Sequence, residues 1–113
     1  MKKHTEKRPW GHFERFTDNE KTTVKIIRVK PHEKTSLQYH KYRDEFWKIL
    51  TGKGSVIIGN KQKKVKAGDE CVIPKKTQHR ITAGKETLEL LEISFGTFKE
   101  DDIIRIEDEY GRV

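Results

Sequence analysis

The residues best suited to chemistry stand between Ser36 and Trp47, in the run Ser-Leu-Gln-Tyr-His-Lys-Tyr-Arg-Asp-Glu-Phe-Trp. Gln38 and His40 are two positions apart, so in a strand their side chains leave the same face. Glu45 follows where the next strand can begin. An amide oxygen, an imidazole nitrogen and a carboxylate oxygen together suit a borderline divalent cation. A fourth ligand must come from elsewhere in the chain, and His79 is the best candidate. The competing reading is an ordinary half-buried strand pair with solvated charges.

Such ligands need strands to hold them. Thr22 to Lys30 is rich in β-branched residues and reads as a strand. It has Val24, Ile26 and Arg28 on one face and Lys25, Ile27 and Val29 on the other. Further strands are expected at Ser36 to His40, Glu45 to Leu50, Ser55 to Ile58, Gln62 to Lys66, Glu70 to Ile73, His79 to Thr82 and Leu88 to Phe95. Gly and Pro clusters separate them, as at Thr51-Gly52-Lys53-Gly54 and Gly59-Asn60-Lys61. No long segment has a helical period. Short strands with closely spaced turns indicate an all-β sandwich or barrel. The N-terminal stretch to Pro9 reads as flexible, Phe13 and Phe16 as packed behind Trp10, and Trp10 and Trp47 as core anchors. The acidic tail around Ile103 to Ile106 can close one end as a short strand or helical turn.

At 113 residues the chain is expected to form one domain, residues 1–113. With 32% hydrophobic and 38% charged residues its core must be thin, so a homodimer is a natural way to bury more surface. The net charge of +7 attracts anions in general. The lysines gather at Lys2 to Arg8, Lys61 to Lys66 and Lys75 to Lys76 without the interleaved aromatics of a nucleic-acid groove, so no nucleic-acid partner is expected. The single cysteine, Cys71, excludes an intrachain disulfide and reads as a buried inert thiol. No apolar run is long enough for a spanning helix and no secretory signal opens the chain, so the expectation is a cytoplasmic protein without membrane contact.

Glu45 lies seven positions before Gly52; Gly68, Pro74 and His79 follow at intervals of six and five. These spacings resemble the paired motifs of the cupin superfamily, whose fold is a double-stranded β-helix. Tyr42 stands where the commonest cupin pattern has a second histidine, and a protonated phenol is a poor zinc ligand. Three blocks narrow the likeness: Arg-Pro-Trp-Gly at the start, Ser-Leu-Gln-x-His-x-x-Arg-x-Glu-x-Trp in the middle, and Glu-Asp-Asp-Ile-Ile-Arg-Ile-Glu-Asp-x-Tyr-Gly-Arg at the end. From Arg8 to Arg112 the chain resembles the cupin domain of type II mannose-6-phosphate isomerases, which many relatives carry behind a guanylyltransferase half. No Gly-rich nucleotide loop occurs here. Relatives usually have histidine at both Tyr42 and Phe46.

The resemblance implies a metal-dependent isomerase that interconverts mannose 6-phosphate and fructose 6-phosphate through a cis-enediolate. It implies one divalent ion held by Gln38, His40, Glu45 and His79, zinc foremost, with manganese, iron, cobalt or nickel also compatible. Arg105 is expected to steady the enediolate charge or orient the sugar, against a surface ion pair with Asp101, Asp102 or Glu107. Glu92 is the leading base, because a carboxylate on the otherwise apolar strand Leu88 to Phe95 needs a reason. Arg8, Arg112 and Lys48 are candidate phosphate contacts. The alternative is a non-catalytic, metal-bound cupin that senses a sugar phosphate, which the missing histidines favour.

Overall fold

Alternating β-branched and polar residues make strands throughout, and the computed structural model, which describes residues 2–112, contains eleven of them and no helix among these residues. They are β1 (His4–Arg8), β2 (Gly11–Arg15), β3 (Thr22–Val29), β4 (Leu37–Tyr39), β5 (Asp44–Thr51), β6 (Lys53–Ile58), β7 (Lys61–Lys66), β8 (Glu70–Ile73), β9 (His79–Ala83), β10 (Leu88–Phe95) and β11 (Ile104–Glu107). One sheet has the order β3-β10-β5-β8 and the other β11-β4-β9-β6-β7. Strands adjacent in sequence often lie in opposite sheets, as β4 and β5 do. All the pairings are antiparallel.

Register decides which side chains share the interior. In the four-stranded sheet Ser94 lies opposite Glu45, and Glu92 lies opposite Trp47 on one side and Lys25 on the other. Two residues further along, Leu90 meets Ile27, and Leu88 meets Val29. The inner face is therefore polar at one end and aliphatic at the other. The five-stranded sheet repeats the division. Gln38 sits opposite both His79 and Arg105 at the polar end. Val56, Val65, Ile81 and Ala83 join Ile49, Leu88 and Leu90 in the buried apolar core. The packed end supplies the stiffness that lets the other end hold polar groups in fixed places.

The N-terminal stretch is not loose chain. His4–Arg8 pairs with Gly11–Arg15 in a hairpin whose tip is Pro9-Trp10. Trp10 is 73% exposed there, so it does not anchor the core; Trp47, at 1%, does. Phe16 does not pack behind Trp10 either. Its ring lies 5.3 Å from that of Phe46, on the outer face of the four-stranded sheet.

Gly52 and Gly54 serve close approach. Gly52 has φ +87°, and a Cβ there would lie 2.4 Å from the Thr87 carbonyl oxygen. At Gly54 a Cβ would lie 2.1 Å from the Thr82 carbonyl oxygen, between two strands that must hold register. Gly54→Ala is expected to destabilise the protein by about 1–3 kcal/mol, read as a lower urea midpoint with an unchanged slope. A change below about 0.5 kcal/mol would contradict the tight fit.

Candidate metal centre

The polar end of the barrel holds His40, Glu45 and His79, all buried, with one ligand atom from each lying within 4.8 Å of the others. His40 Nε2 is 3.6 Å from Glu45 Oε2, and His79 Nε2 is 3.6 Å from Glu45 Oε1. The two rings are 5.0 Å apart. Glu45 comes from the start of β5, His79 from the start of β9, and His40 from the turn after β4. Gln38, opposite His79 in the register, turns the same way and accepts a hydrogen bond from Ser36 Oγ at 3.2 Å.

The second nitrogens of both rings are tied back. His40 Nδ1 donates to the Asp102 carbonyl at 2.6 Å, and His79 Nδ1 donates to the Thr77 carbonyl at 2.9 Å. A carbonyl can only accept, so Nδ1 carries the proton and Nε2 presents a lone pair to the cluster. Burial pushes both imidazoles below their ordinary pKa, His79 to about 4. Both are therefore neutral at pH 7, the form a metal needs. Burial raises Glu45, and Arg43 pulls it back down. Glu45 Oε1 is buried and has no hydrogen-bond partner. An orphaned buried acceptor among two neutral imidazoles fits a divalent cation, and a mixed N/O set of this kind suits zinc or its transition-metal neighbours.

A strap formed by residues 97–102 crosses one side of the cluster. Arg43 Nη1 donates to the Lys99 carbonyl at 3.1 Å. The amides of Lys41 and Tyr42 donate to the Asp102 carboxylate at 2.8 and 3.1 Å. Phe98 lies 4.4 Å from both the Arg43 guanidinium and the Lys25 ammonium.

The remaining expected residues divide. Glu92 points inward, accepts from Trp47 Nε1 at 3.3 Å, and is pushed up to about 7 by burial and then by Glu45. The edge of the Trp47 ring also meets His79, centroids 5.4 Å apart, so Glu92 and His79 flank one indole. Arg105 lies beside Gln38 with its Nε buried and unpartnered. Glu107, one expected partner for Arg105, pairs with Arg80 instead. Arg112, paired with Asp108 at 2.7 Å, lines a cavity of about 500 Å³ that Arg105, Gln38 and Ser36 also border, at the seam between β3 and β11. Lys48 does not reach the cluster. It faces outward and bonds Glu14 and Glu70 at 3.1 Å each, because it alternates with the inward Trp47. Arg8 is also elsewhere, on the hairpin, paired with Glu6.

Sequence reading missed Arg43. Its Nε donates to Glu45 Oε2 at 3.0 Å, and Nη2 lies 3.3 Å from His40 Nε2. The signal was its position two residues before Glu45, just ahead of β5, where extended chain turns both side chains the same way. Ser94, 3.3 Å from Glu45 Oε2, carried a similar signal in its spacing from Glu92. Asp102 had none, because it acts from a strap remote in sequence.

Comparison with known proteins agrees with this architecture. The model of the family described as mannose-6-phosphate isomerase C-terminal matches residues 1–108. Among curated proteins the chain is 38% identical to mannose-1-phosphate guanylyltransferase ManC of Salmonella typhimurium, covering 94% of this chain and 22% of ManC. It is 40% identical to the mannose-1-phosphate guanylyltransferase of Klebsiella pneumoniae, covering 93% and 23%. The chain thus spans less than a quarter of the length of these relatives. Among solved structures, a protein assigned as a sugar phosphate isomerase from Acidithiobacillus ferrooxidans superposes with a TM-score of 0.61 at 29% identity, over 67% of this chain and 51% of that one. Oxalate decarboxylase from Bacillus subtilis does so at 0.71 and 26%, over 78% and 25%. A cupin protein from Bacteroides fragilis shares the fold, at 0.61 and 24%, over 69% and 70%. The chain, an all-β cupin, belongs to the mannose-6-phosphate isomerase C-terminal family.

Proposed function

We propose that this protein is a metal-dependent isomerase that interconverts mannose 6-phosphate and fructose 6-phosphate. The observation that carries the reading is the buried Glu45 carboxylate, with one free oxygen set among two neutral imidazoles and a second carboxylate, Glu92, close by. Such an isomerisation must take a proton from one carbon and return it to its neighbour while negative charge collects on oxygen. A divalent ion held by Gln38, His40, Glu45 and His79 would supply Lewis-acid polarisation of that oxygen.

The chain's own groups supply the rest. Glu92, with a pKa of about 7, can both accept and return a proton near neutral pH. The free Nε–H of Arg105, beside Gln38, is positioned to meet charge that develops on the substrate. The seam cavity has Arg28, Lys30, Lys34 and Arg112 on its walls against one carboxylate, Glu33, a net cationic setting for the 6-phosphate, although Arg28 and Arg112 also pair with Glu89 and Asp108. Its size lies within the range of about 300–1,000 Å³ usual for small ligands. Arg105→Gln is expected to lower kcat/KM about 10²-fold while leaving bound metal unchanged. An equal loss of metal would reassign Arg105 to a structural part.

Tyr42 and Phe46 in place of histidines favour the sensor alternative. Tyr42 is 72% exposed, and Phe46 lies under Phe16 on the outer face, so neither side chain is at the cluster. The deciding experiment is a coupled assay for fructose 6-phosphate formed from mannose 6-phosphate, comparing chelator-stripped and zinc-reconstituted protein. Turnover only after reconstitution supports the isomerase. Stoichiometric metal with no turnover would favour the sensor.

A further inference from the structure

Arg43 is an unusual neighbour for metal ligands. It is buried, and all three guanidinium nitrogens are engaged: Nε with Glu45 Oε2 at 3.0 Å, Nη2 with His40 Nε2 at 3.3 Å, and Nη1 with the Lys99 carbonyl at 3.1 Å. Its flat face rests on Phe98 of the strap. His40 Nε2 has one lone pair, because its Nδ1 proton is committed to the Asp102 carbonyl. That lone pair cannot serve both Arg43 and a metal ion. Glu45 is different: Oε2 takes Arg43 and Ser94, and Oε1 is left over.

We propose that Arg43 is a resident cation of the centre, which competes with the metal for His40 and links metal occupancy to the strap. The inference rests on the metal-centre reading above. In the metal-free protein the guanidinium neutralises Glu45 and caps His40. A metal held by His40, Glu45 and His79 would leave Arg43 its bond to Glu45 Oε2 and would take His40 from it. A guanidinium held so close to a dication in a buried site lowers metal affinity by repulsion. Because Nη1 and Phe98 tie the same group to residues 97–102, its shift reaches the strap. Lys25 contacts Phe98 from another side and pairs with Glu100 at 3.0 Å, so the strap is loosened at one anchor rather than released.

The test is zinc affinity measured at pH 8 by competition with a chromophoric chelator, for the unaltered protein, Arg43→Met and Arg43→Lys. Arg43→Met should bind zinc about tenfold more tightly or better. Arg43→Lys keeps the charge but cannot bridge both ligands, so it should fall between. Zinc should speed amide hydrogen exchange at residues 97–102 in the unaltered protein and leave it unchanged in Arg43→Met. If Arg43→Met does not fold, Arg43→Lys and the side-chain ¹⁵N resonances of Arg43 in the unaltered protein carry the test; zinc must shift the Nη signals. Affinity that is unchanged or weaker in the variants, with no zinc effect on the strap, overturns the role of Arg43 alone. An unaltered protein that takes up no zinc overturns the metal centre, and this inference with it.

Discussion

His79→Ala is expected to remove stoichiometric metal and to drop mannose 6-phosphate turnover at least 10³-fold. The ring cannot be spared, because it supplies one of only two nitrogen donors in the cluster, and its Nδ1–H bond to Thr77 already aims Nε2 at Glu45. Losing one of the four proposed ligands would leave a site too weak to compete for the ion. A thermal measurement separates this from unfolding. A ligand present at about 1,000 times its Kd stabilises the native state by about 4 kcal/mol. The unaltered protein should therefore melt well above its chelator-treated form, whereas His79→Ala should melt at one temperature with or without zinc. The variant also loses ring contact with Trp47 and is expected to be about 2–3 kcal/mol less stable at the outset. Full zinc occupancy in His79→Ala would remove the imidazole from the centre and undo the proposed mechanism.

Glu92→Gln is expected to cost 10²- to 10⁴-fold in kcat, the usual range for losing a positioned proton carrier, with zinc content unchanged. The same variant should show a second effect, in stability. The Glu92 carboxyl titrates near 4.5 in the unfolded chain and about 7 in the fold, because burial and then Glu45 oppose its charge. The folded state therefore holds a proton that the unfolded state has released, and stability falls as pH rises from about 4.5 to 7. At pH 8 the buried charge costs on the order of 3 kcal/mol, at about 1.4 kcal/mol per pKa unit. Glu45, raised by burial, adds in the same direction.

His79 acts with the opposite sign. Its pKa is 6.5 in the unfolded chain and about 4 in the fold, so the unfolded state binds the extra proton and stability rises with pH between them. The two trends oppose each other in metal-free wild-type protein. Glu92→Gln removes one of them. Urea titrations of chelated protein should then show the variant gaining stability from pH 4.5 to 6.5, and exceeding wild type at pH 8. A variant with wild-type turnover and a wild-type pH profile would show that Glu92 neither moves the proton nor carries a buried charge.

Much of this site was legible before any coordinates. The β-branched run at Thr22 to Val29 and the Gly and Pro punctuation set out the strands, and the alternation rule put Gln38 and His40 on one face. Glu92 was conspicuous because a carboxylate on an apolar strand is costly to bury. These are local properties, and a strand expresses them wherever it lies. Lys48 and Trp10 show where that reasoning stops. Each was judged by its residue type, but Lys48 alternates outward and Trp10 sits on a hairpin tip.

Residue types and their short-range spacing determined which atoms could bind a metal, and that the chain would be built from strands. Tertiary structure decided which of those atoms meet. His79 reaches Glu45 across two sheets, and Asp102 meets His40 from a strap 62 residues away in sequence, which also anchors Arg43 through the Lys99 carbonyl. Strand alternation is set by the geometry of a single chain segment. Register between distant strands and the path of a loop are set by how the whole interior packs, which no stretch of sequence carries by itself.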